Sequence, residues 1–322
     1  MRVAVDTTPL AQTRAGTHRY LASLLERLEP LVEIERVRFR PARPPALGDL
    51  LWYPALLPRA ARGCDVLHCP TFRAPLRRSK VPTVVTVHDL AVLRHPEVFP
   101  RWSRTYSRVA LPRVVRAAAR VIAVSQFTKR EVVALLGVPE ERVRVVPNAV
   151  SDAFTPDGEA AGGEYVLAVG TLEPRKNIPR VAEAARRAGL ELRVAGDRGW
   201  GDVDVADGVR WLGFVPDDEL ARLYRGAQCV VYPSLYEGFG IPVLEALACG
   251  APVVTSAGTA MEEVADGAAV LVDPNDVESI AAAIDEAIER RDELGRRGIE
   301  RAHDYSWDAA AESTLAVYRE VA

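Results

Sequence analysis

The sequence predicts an α/β protein of two Rossmann-like, doubly wound parallel-sheet domains, and three observations carry that expectation. Short apolar runs alternate with amphipathic helical stretches along the whole chain. The 322 residues exceed one ordinary domain and suit two. The formal charge also reverses near the middle. Residues 1–150 hold 25 Lys and Arg against 12 Asp and Glu, whereas residues 151–322 hold 16 against 32.

In the first half, β-branched apolar runs predict strands at 2–6, 34–40, 65–68, 83–87, 121–124 and 143–146. Helical spacing predicts helices at 17–28, 102–119 and 126–136, with Ser125 as the N-cap of the last. In the second half, strands are expected at 165–169, 191–195, 209–212, 229–232, 252–255 and 269–272. Helices are expected at 178–187, 217–225, 242–248, 277–289 and 307–320. Residues 151–163, rich in Gly, Asp and Ala around Pro156, predict a linker. The domains are then 1–150 and 164–305, followed by a terminal helix in 306–322.

Composition narrows the function. Apolar residues make up 48% of the chain, enough for two cores. No run of eighteen apolar residues occurs and the chain opens on a strand, so neither a membrane span nor a secretory signal is expected, and the expected location is cytoplasmic. Cys64, Cys69, Cys229 and Cys249 form no CxxC pair or metal spacing and read as buried free thiols. Between residues 94 and 120, arginines stand at 94, 101, 104, 108, 113, 116 and 120 with only Glu97 opposing them. That stretch reads either as a helix face meeting anionic lipid or a lipid-pyrophosphate acceptor, or as a solvated face pairing with the acidic half. Aromatic residues are not interleaved with the basic ones, which argues against nucleic acid.

The segment Ser234-Leu235-Tyr236-Glu237-Gly238-Phe239-Gly240-Ile241-Pro242-Val243-Leu244-Glu245 carries most of the chemistry. It follows the strand at 229–232 and opens a helix, so its glycines allow close backbone approach and the first helical N–H groups suit a phosphate. Two carboxylates, Glu237 and Glu245, stand eight residues apart across it. A second segment, Tyr165-Val166-Leu167-Ala168-Val169-Gly170-Thr171-Leu172-Glu173-Pro174-Arg175-Lys176-Asn177, places an Arg-Lys pair at the start of a helix. Like charges there oppose the helix dipole, which disfavours a purely structural role.

Together, in this order, the two segments resemble the signature of the family-four, group 1 retaining glycosyltransferases of the GT-B fold, mannosyl- and rhamnosyltransferases in particular. The resemblance covers nearly the whole chain. It implies a nucleotide-diphosphate sugar as donor and Arg175 and Lys176 on its pyrophosphate. Glu237 would hold the sugar hydroxyls and Glu245 the ribose diol. Gly170, Gly213, Phe214, Gly238, Phe239, Gly240, Ile241 and Leu244 complete the implied donor site. His88-Asp89-Leu90 resembles the family's His-Asp-Leu motif, with His88 near the reacting sugar and Asp89 either beside it or capping a turn. An imidazole with its usual pKa could donate or accept a hydrogen bond there. Gly16, Arg19 and Tyr20 match the family's acceptor or phosphate loop, although His18 replaces its second glycine. Ser125 and Asn148 match further landmarks but are at least as well explained by structure, and the terminal helix would cross back to the first domain.

The resemblance implies front-face transfer with retention, without a metal or other cofactor, to a glycan, lipid-linked or small-molecule hydroxyl. GDP-mannose is the favoured donor. Asp202-Val203-Asp204 fits an Asp-x-Asp metal pattern but lies in a Gly- and Asp-rich stretch and reads as a solvated loop. A nicotinamide enzyme would need Gly-x-Gly-x-x-Gly after its first strand, which is absent. A nucleotide-sugar epimerase of the same architecture and a catalytically silent sugar-nucleotide-binding protein remain as alternatives.

Overall fold

A computed structural model describes residues 1–12, 16–39, 48–197, 199 and 208–322 of the chain. The chain divides into two compact units, Met1–Asn148 with Ser306–Ala322, and Ala149–Tyr305. The expected strand–helix alternation is present in both.

In the first unit, β1 (Arg2–Asp6), β2 (Glu33–Val37), β3 (Val66–Cys69), β4 (Thr83–Val87), β5 (Arg120–Ala123) and β6 (Val143–Val145) form one parallel sheet in the order β2-β1-β3-β4-β5-β6. Every residue of β4 is buried, as a strand covered on both faces requires. The helices are α1 (Thr8–Gln12), α2 (Gly16–Leu28), α3 (Leu57–Ala60), α4 (Ala91–Arg94), α5 (Arg101–Ala117) and α6 (Gln126–Leu136). Ser125 Oγ accepts from the Thr128 amide at 2.9 Å and starts α6, and Gly137 in the left-handed region ends it. Leu67, Val85, Leu111, Val115 and Leu136 pack in the core, each worth about 1.5–3 kcal/mol when fully buried.

In the second unit, β7 (Tyr165–Val169), β8 (Glu191–Ala195), β9 (Val209–Gly213), β10 (Cys229–Tyr232), β11 (Val253–Ser256) and β12 (Val270–Val272) form a parallel sheet in the order β12-β11-β10-β7-β8-β9. Its helices are α7 (Ile178–Arg187), α8 (Asp217–Gly226), α9 (Ile241–Ala248), α10 (Ala260–Ala265), α11 (Val277–Glu289) and α12 (Arg291–Ala302). Strand order reverses between β7 and β10, and the crevice beyond the carboxyl ends of such a strand pair is where open α/β sheets bind ligands. The helix α13 (Trp307–Arg319) belongs to the first unit. Glu320, just beyond it, bridges Arg120 at 2.7 Å and Arg144 at 2.9 Å.

Three expectations need correction. The strand expected over 34–40 ends at Val37. The helix α12 is not among the expected helices, and its two interior glycines, Gly295 and Gly298, let it pack closely: a Cβ at Gly295 would lie 2.7 Å from the Gly250 carbonyl oxygen, and one at Gly298 3.0 Å from Leu247 Cδ2. Residues 151–163 are not a free linker but are tied to the second unit. Phe154 meets Tyr224 edge-on at 5.8 Å, and Arg225 donates to the carbonyls of Thr155 and Glu159 at 3.0 and 2.9 Å.

Candidate functional site

The site in the second unit is built from the loops that leave β7 and β10. Gly170, directly after β7, has φ of 142°, and a Cβ there would lie 3.3 Å from Lys176 Cε, so its bareness gives room to the lysine stem. Pro174–Lys176 then makes one 3-10 turn into α7. Asn177 ends that turn at φ of 62°. Its side-chain amide donates to the carbonyls of Pro233 at 3.1 Å and Pro274 at 2.6 Å. The two loops are also joined through main chain, the Leu235 amide donating to the Arg175 carbonyl at 2.9 Å.

This knitting assembles four formal charges. Arg175 Nη2 lies 2.7 Å from Glu173, while Arg175 Nη1 and Lys176 Nζ lie 2.7 and 2.6 Å from Glu237 Oε1. Both cations are largely enclosed, with side-chain exposures of 15% and 10%, so this is not a surface pair. The Tyr232 hydroxyl stands between Lys176 Nζ and Glu237 Oε1, donating to the latter at 3.1 Å. Burial pushes the Glu237 carboxyl up, but Arg175 and Lys176 outweigh it and hold its pKa down at about 2. For Lys176 the balance goes the other way: burial lowers its pKa despite Glu237. Burial likewise raises Glu173 despite Arg175. The quartet therefore has no net formal charge, and each of its two cations is held against a carboxylate. All three contacts to Glu237 fall on Oε1, which leaves Oε2 as its acceptor for a ligand hydroxyl.

Gly240 starts α9 at φ of 99°, and a Cβ there would meet Met261 Cγ at 2.7 Å, so both backbone and packing demand glycine. Phe239 anchors the turn by meeting Tyr305 edge-on at 5.6 Å. Glu245, just over one turn into α9, is buried and accepts from the Tyr224 hydroxyl at 2.9 Å. Leu244 is fully buried in the core, so its side chain offers nothing to a ligand, whereas Ile241 is partly exposed. Gly213 has φ of 70° after the body of β9, and Phe214 beside it is 55% exposed. Asp202-Val203-Asp204 lies outside the described residues. Among the described residues, no group of three or more His, Cys, Asp or Glu side chains is placed to hold a metal.

In the first unit, His88 follows β4, with Nε2 2.9 Å from the Pro70 carbonyl oxygen. A carbonyl only accepts, so Nε2 carries the hydrogen. Burial lowers the His88 pKa, which keeps the ring neutral at pH 7 and leaves Nδ1 as an acceptor. The expectation that His88 could either donate or accept is thus narrowed to accepting through Nδ1. Asp89 Oδ1 accepts from the Ala91 amide at 3.0 Å, the turn-capping alternative. Gly16 opens α2 with an ordinary φ and open space where a Cβ would stand, so its backbone makes no demand for glycine. Arg19 is half-buried on α2, while Arg14 and Ala15 lie outside the described residues.

Sequence reasoning missed Glu173, Asn177, Tyr224 and Tyr232 as parts of the site. Glu173 and Asn177 flank the Arg-Lys pair in sequence; Glu173 pairs with Arg175, whereas the partners of Asn177 lie 56 and 97 residues away. Tyr232 was absorbed into a strand of valines, although a phenol ending a buried run needs a polar partner.

Two family models match: glycosyl transferases group 1 over residues 152–305 and glycosyltransferase family 4 over residues 10–154. The O-antigen chain mannosyltransferase B of Escherichia coli is 32% identical, over 96% of this chain and 85% of that protein. The chain belongs to the group 1, family 4 glycosyltransferases. Among other relatives of this glycosyltransferase, the O-antigen chain mannosyltransferase RfbU of Salmonella typhimurium is 31% identical, over 78% of this chain and 74% of its own length. The fold is GT-B. Sucrose-phosphate synthase from Thermosynechococcus elongatus superposes with a TM-score of 0.77 at 20% identity, covering 99% and 98% of the two chains. Anabaena HepE in complex with UDP and glucose superposes with a TM-score of 0.75 at 20% identity, covering 98% of each.

Proposed function

We propose that this glycosyltransferase moves a mannosyl group from GDP-mannose to a hydroxyl of a glycan or lipid-linked acceptor, with retention and without a resident metal. The convergence of Arg175 and Lys176 on one buried carboxylate oxygen, at the strand-order reversal of the second sheet, carries this reading. Cations held in a closed site gain about 4 kcal/mol against a charge at ~4 Å and an effective dielectric near 20. That gain is largest where negative charge accumulates, on the departing diphosphate. In the transfer, the bond from the anomeric carbon to the diphosphate oxygen breaks and the bond to the acceptor oxygen forms on the same face. The acceptor proton passes to the leaving phosphate. Glu237, with a pKa near 2, is a weak base, so its role is to hold sugar hydroxyls through Oε2. Glu245 takes the ribose diol, and His88 accepts from a substrate hydroxyl through Nδ1.

The choice of mannose is supported by the names of the O-antigen mannosyltransferase relatives. No described helix is long and apolar enough to cross a membrane. On α5, exposed Arg101, Arg108 and Arg113 accompany Trp102 and Val109, a face suited to an anionic bilayer surface.

A thermal-shift panel of GDP, UDP, dTDP and ADP in EDTA tests the donor site. A ligand at a hundred times its dissociation constant stabilises by about 2.7 kcal/mol, a shift of a few degrees. GDP should raise the midpoint of wild type but not of Arg175→Ala/Lys176→Ala. A response only to another base would overturn the GDP assignment, and no response to any would overturn the donor site. Consumption of GDP-mannose to an epimer without an acceptor would favour the epimerase alternative.

A further inference from the structure

A buried polar system in the first unit lies next to His88, and the proposed transfer does not use it. The chains of β3 and β4 are joined there by two side-chain rungs set two residues apart. The upper rung is His88 Nε2 to the Pro70 carbonyl at 2.9 Å, and the lower is His68 Nε2 to Thr86 Oγ1, also at 2.9 Å. The other nitrogen of His68, Nδ1, lies 2.7 Å from the Tyr318 hydroxyl on α13. Thr86 Oγ1 in turn lies 3.2 Å from the Tyr20 hydroxyl on α2. The Tyr20 ring stands edge-on to the His88 ring at 4.6 Å and 81°. Tyr20, His68, Thr86 and Tyr318 are all fully or almost fully buried.

We infer that Tyr318 and His68 are positioning residues for His88, holding the lower rung and the Tyr20 ring so that His88 keeps Nε2 on Pro70 and presents Nδ1 as its acceptor. The inference rests on the proposal that His88 touches substrate. Its physical basis is that each nitrogen of His68 has one side-chain partner and the ring is fully buried from solvent. Removing the Tyr318 hydroxyl leaves Nδ1 a buried orphan, a state proteins avoid by rearranging. The His68 ring must then turn to find a new partner, which releases Thr86 and with it the hydroxyl of Tyr20. The Tyr20 ring forms one wall of His88, so the upper rung loosens and the second tautomer becomes accessible. A residue of the last helix thereby sets the hydrogen-bonding state of a side chain that follows β4.

The test is the ¹⁵N spectrum of the histidine rings in the full-length, ligand-free protein, with the His88→Ala spectrum assigning the His88 signals. Wild type should show a protonated Nε2 and an unprotonated Nδ1 at His88. Tyr318→Phe, and independently Thr86→Val, should shift those signals toward a mixture of tautomers while leaving His95 and His303 in place. Unchanged His88 signals in either folded variant would overturn the inference. With GDP-mannose, turnover should fall about tenfold in Tyr318→Phe at nearly unchanged KM. Adding Tyr318→Phe to His88→Ala should cost nothing further, whereas additive losses would mean that Tyr318 does not act through His88. If His88→Ala turns over like wild type, the substrate role of His88 fails, while the ring spectra still decide whether Tyr318 controls its tautomer.

Discussion

Replacing Glu237 by Gln should make the enzyme bind nucleoside diphosphate more tightly while turning over more slowly. Glu237 Oε1 lies 2.6 Å from Lys176 Nζ, and a phosphate oxygen bonded to the same ammonium would sit at ~2.8 Å from it. The two anions would then stand within roughly 5 Å of each other. At an effective dielectric near 20, their repulsion is about 3 kcal/mol. Gln keeps the shape and an acceptor oxygen but removes the charge, so the affinity for GDP should rise by up to about a hundredfold. Two costs accompany the gain. The depressed Glu237 pKa, about 2 against an ordinary 4.5, corresponds to roughly 3 kcal/mol of stability at neutral pH. Burial of Lys176 and Glu173 works against part of that, so the loss in the variant should be smaller. Turnover should fall because the sugar hydroxyls lose a charged acceptor. Titration calorimetry with GDP, alongside steady-state turnover of GDP-mannose, reads both effects. Weaker GDP binding in Glu237→Gln would exclude the repulsion, and tighter binding with undiminished turnover would exclude a role for the Glu237 charge in holding the sugar.

Three further outcomes follow from the same geometry. Between pH 4.5 and 2, wild type should lose stability faster than Glu237→Gln in urea titrations, because a depressed folded pKa gives stability that is full above the unfolded value and lost as pH falls through the folded one. Glu245→Ala should bind GDP and 2′-deoxy-GDP alike, whereas wild type should prefer GDP by about tenfold, as expected when a buried acceptor loses its hydrogen-bond donor. Asn177→Gly should lose about 1 kcal/mol for each bond to Pro233 and Pro274. Asn177→Ala should lose a further ~1–2 kcal/mol because a Cβ opposes φ of 62°, an order that thermal midpoints can rank.

Much of the fold was legible because parallel strands buried on both faces leave continuous β-branched runs. Thr83–Val87, Tyr165–Val169 and Cys229–Tyr232 all begin and end where the residues predict. The loops carrying Arg175, Lys176 and Glu237 were legible through glycines and charges of fixed spacing. What was not legible is interaction across long sequence distances. Residues 151–163 look like a linker by composition, yet Arg225 and Tyr224 on α8 hold them down. No local pattern reveals that Tyr318 would meet His68, or that Glu173 and Glu237 would neutralise the two cations. Leu244 is the opposite case: membership in a motif suggested a ligand contact, whereas its place on α9 makes it core.

Mannosyl transfer with retention from a nucleotide-bound sugar fixes the anomeric configuration of the product. GDP-mannose and an alkyl mannoside are incubated with the enzyme in EDTA, and the new linkage is read by proton NMR. The proposed transfer yields an α-mannosidic product equal in amount to the GDP released, and none from Arg175→Ala/Lys176→Ala. A β-linked product, or GDP-mannose left intact by the wild-type enzyme, would contradict it.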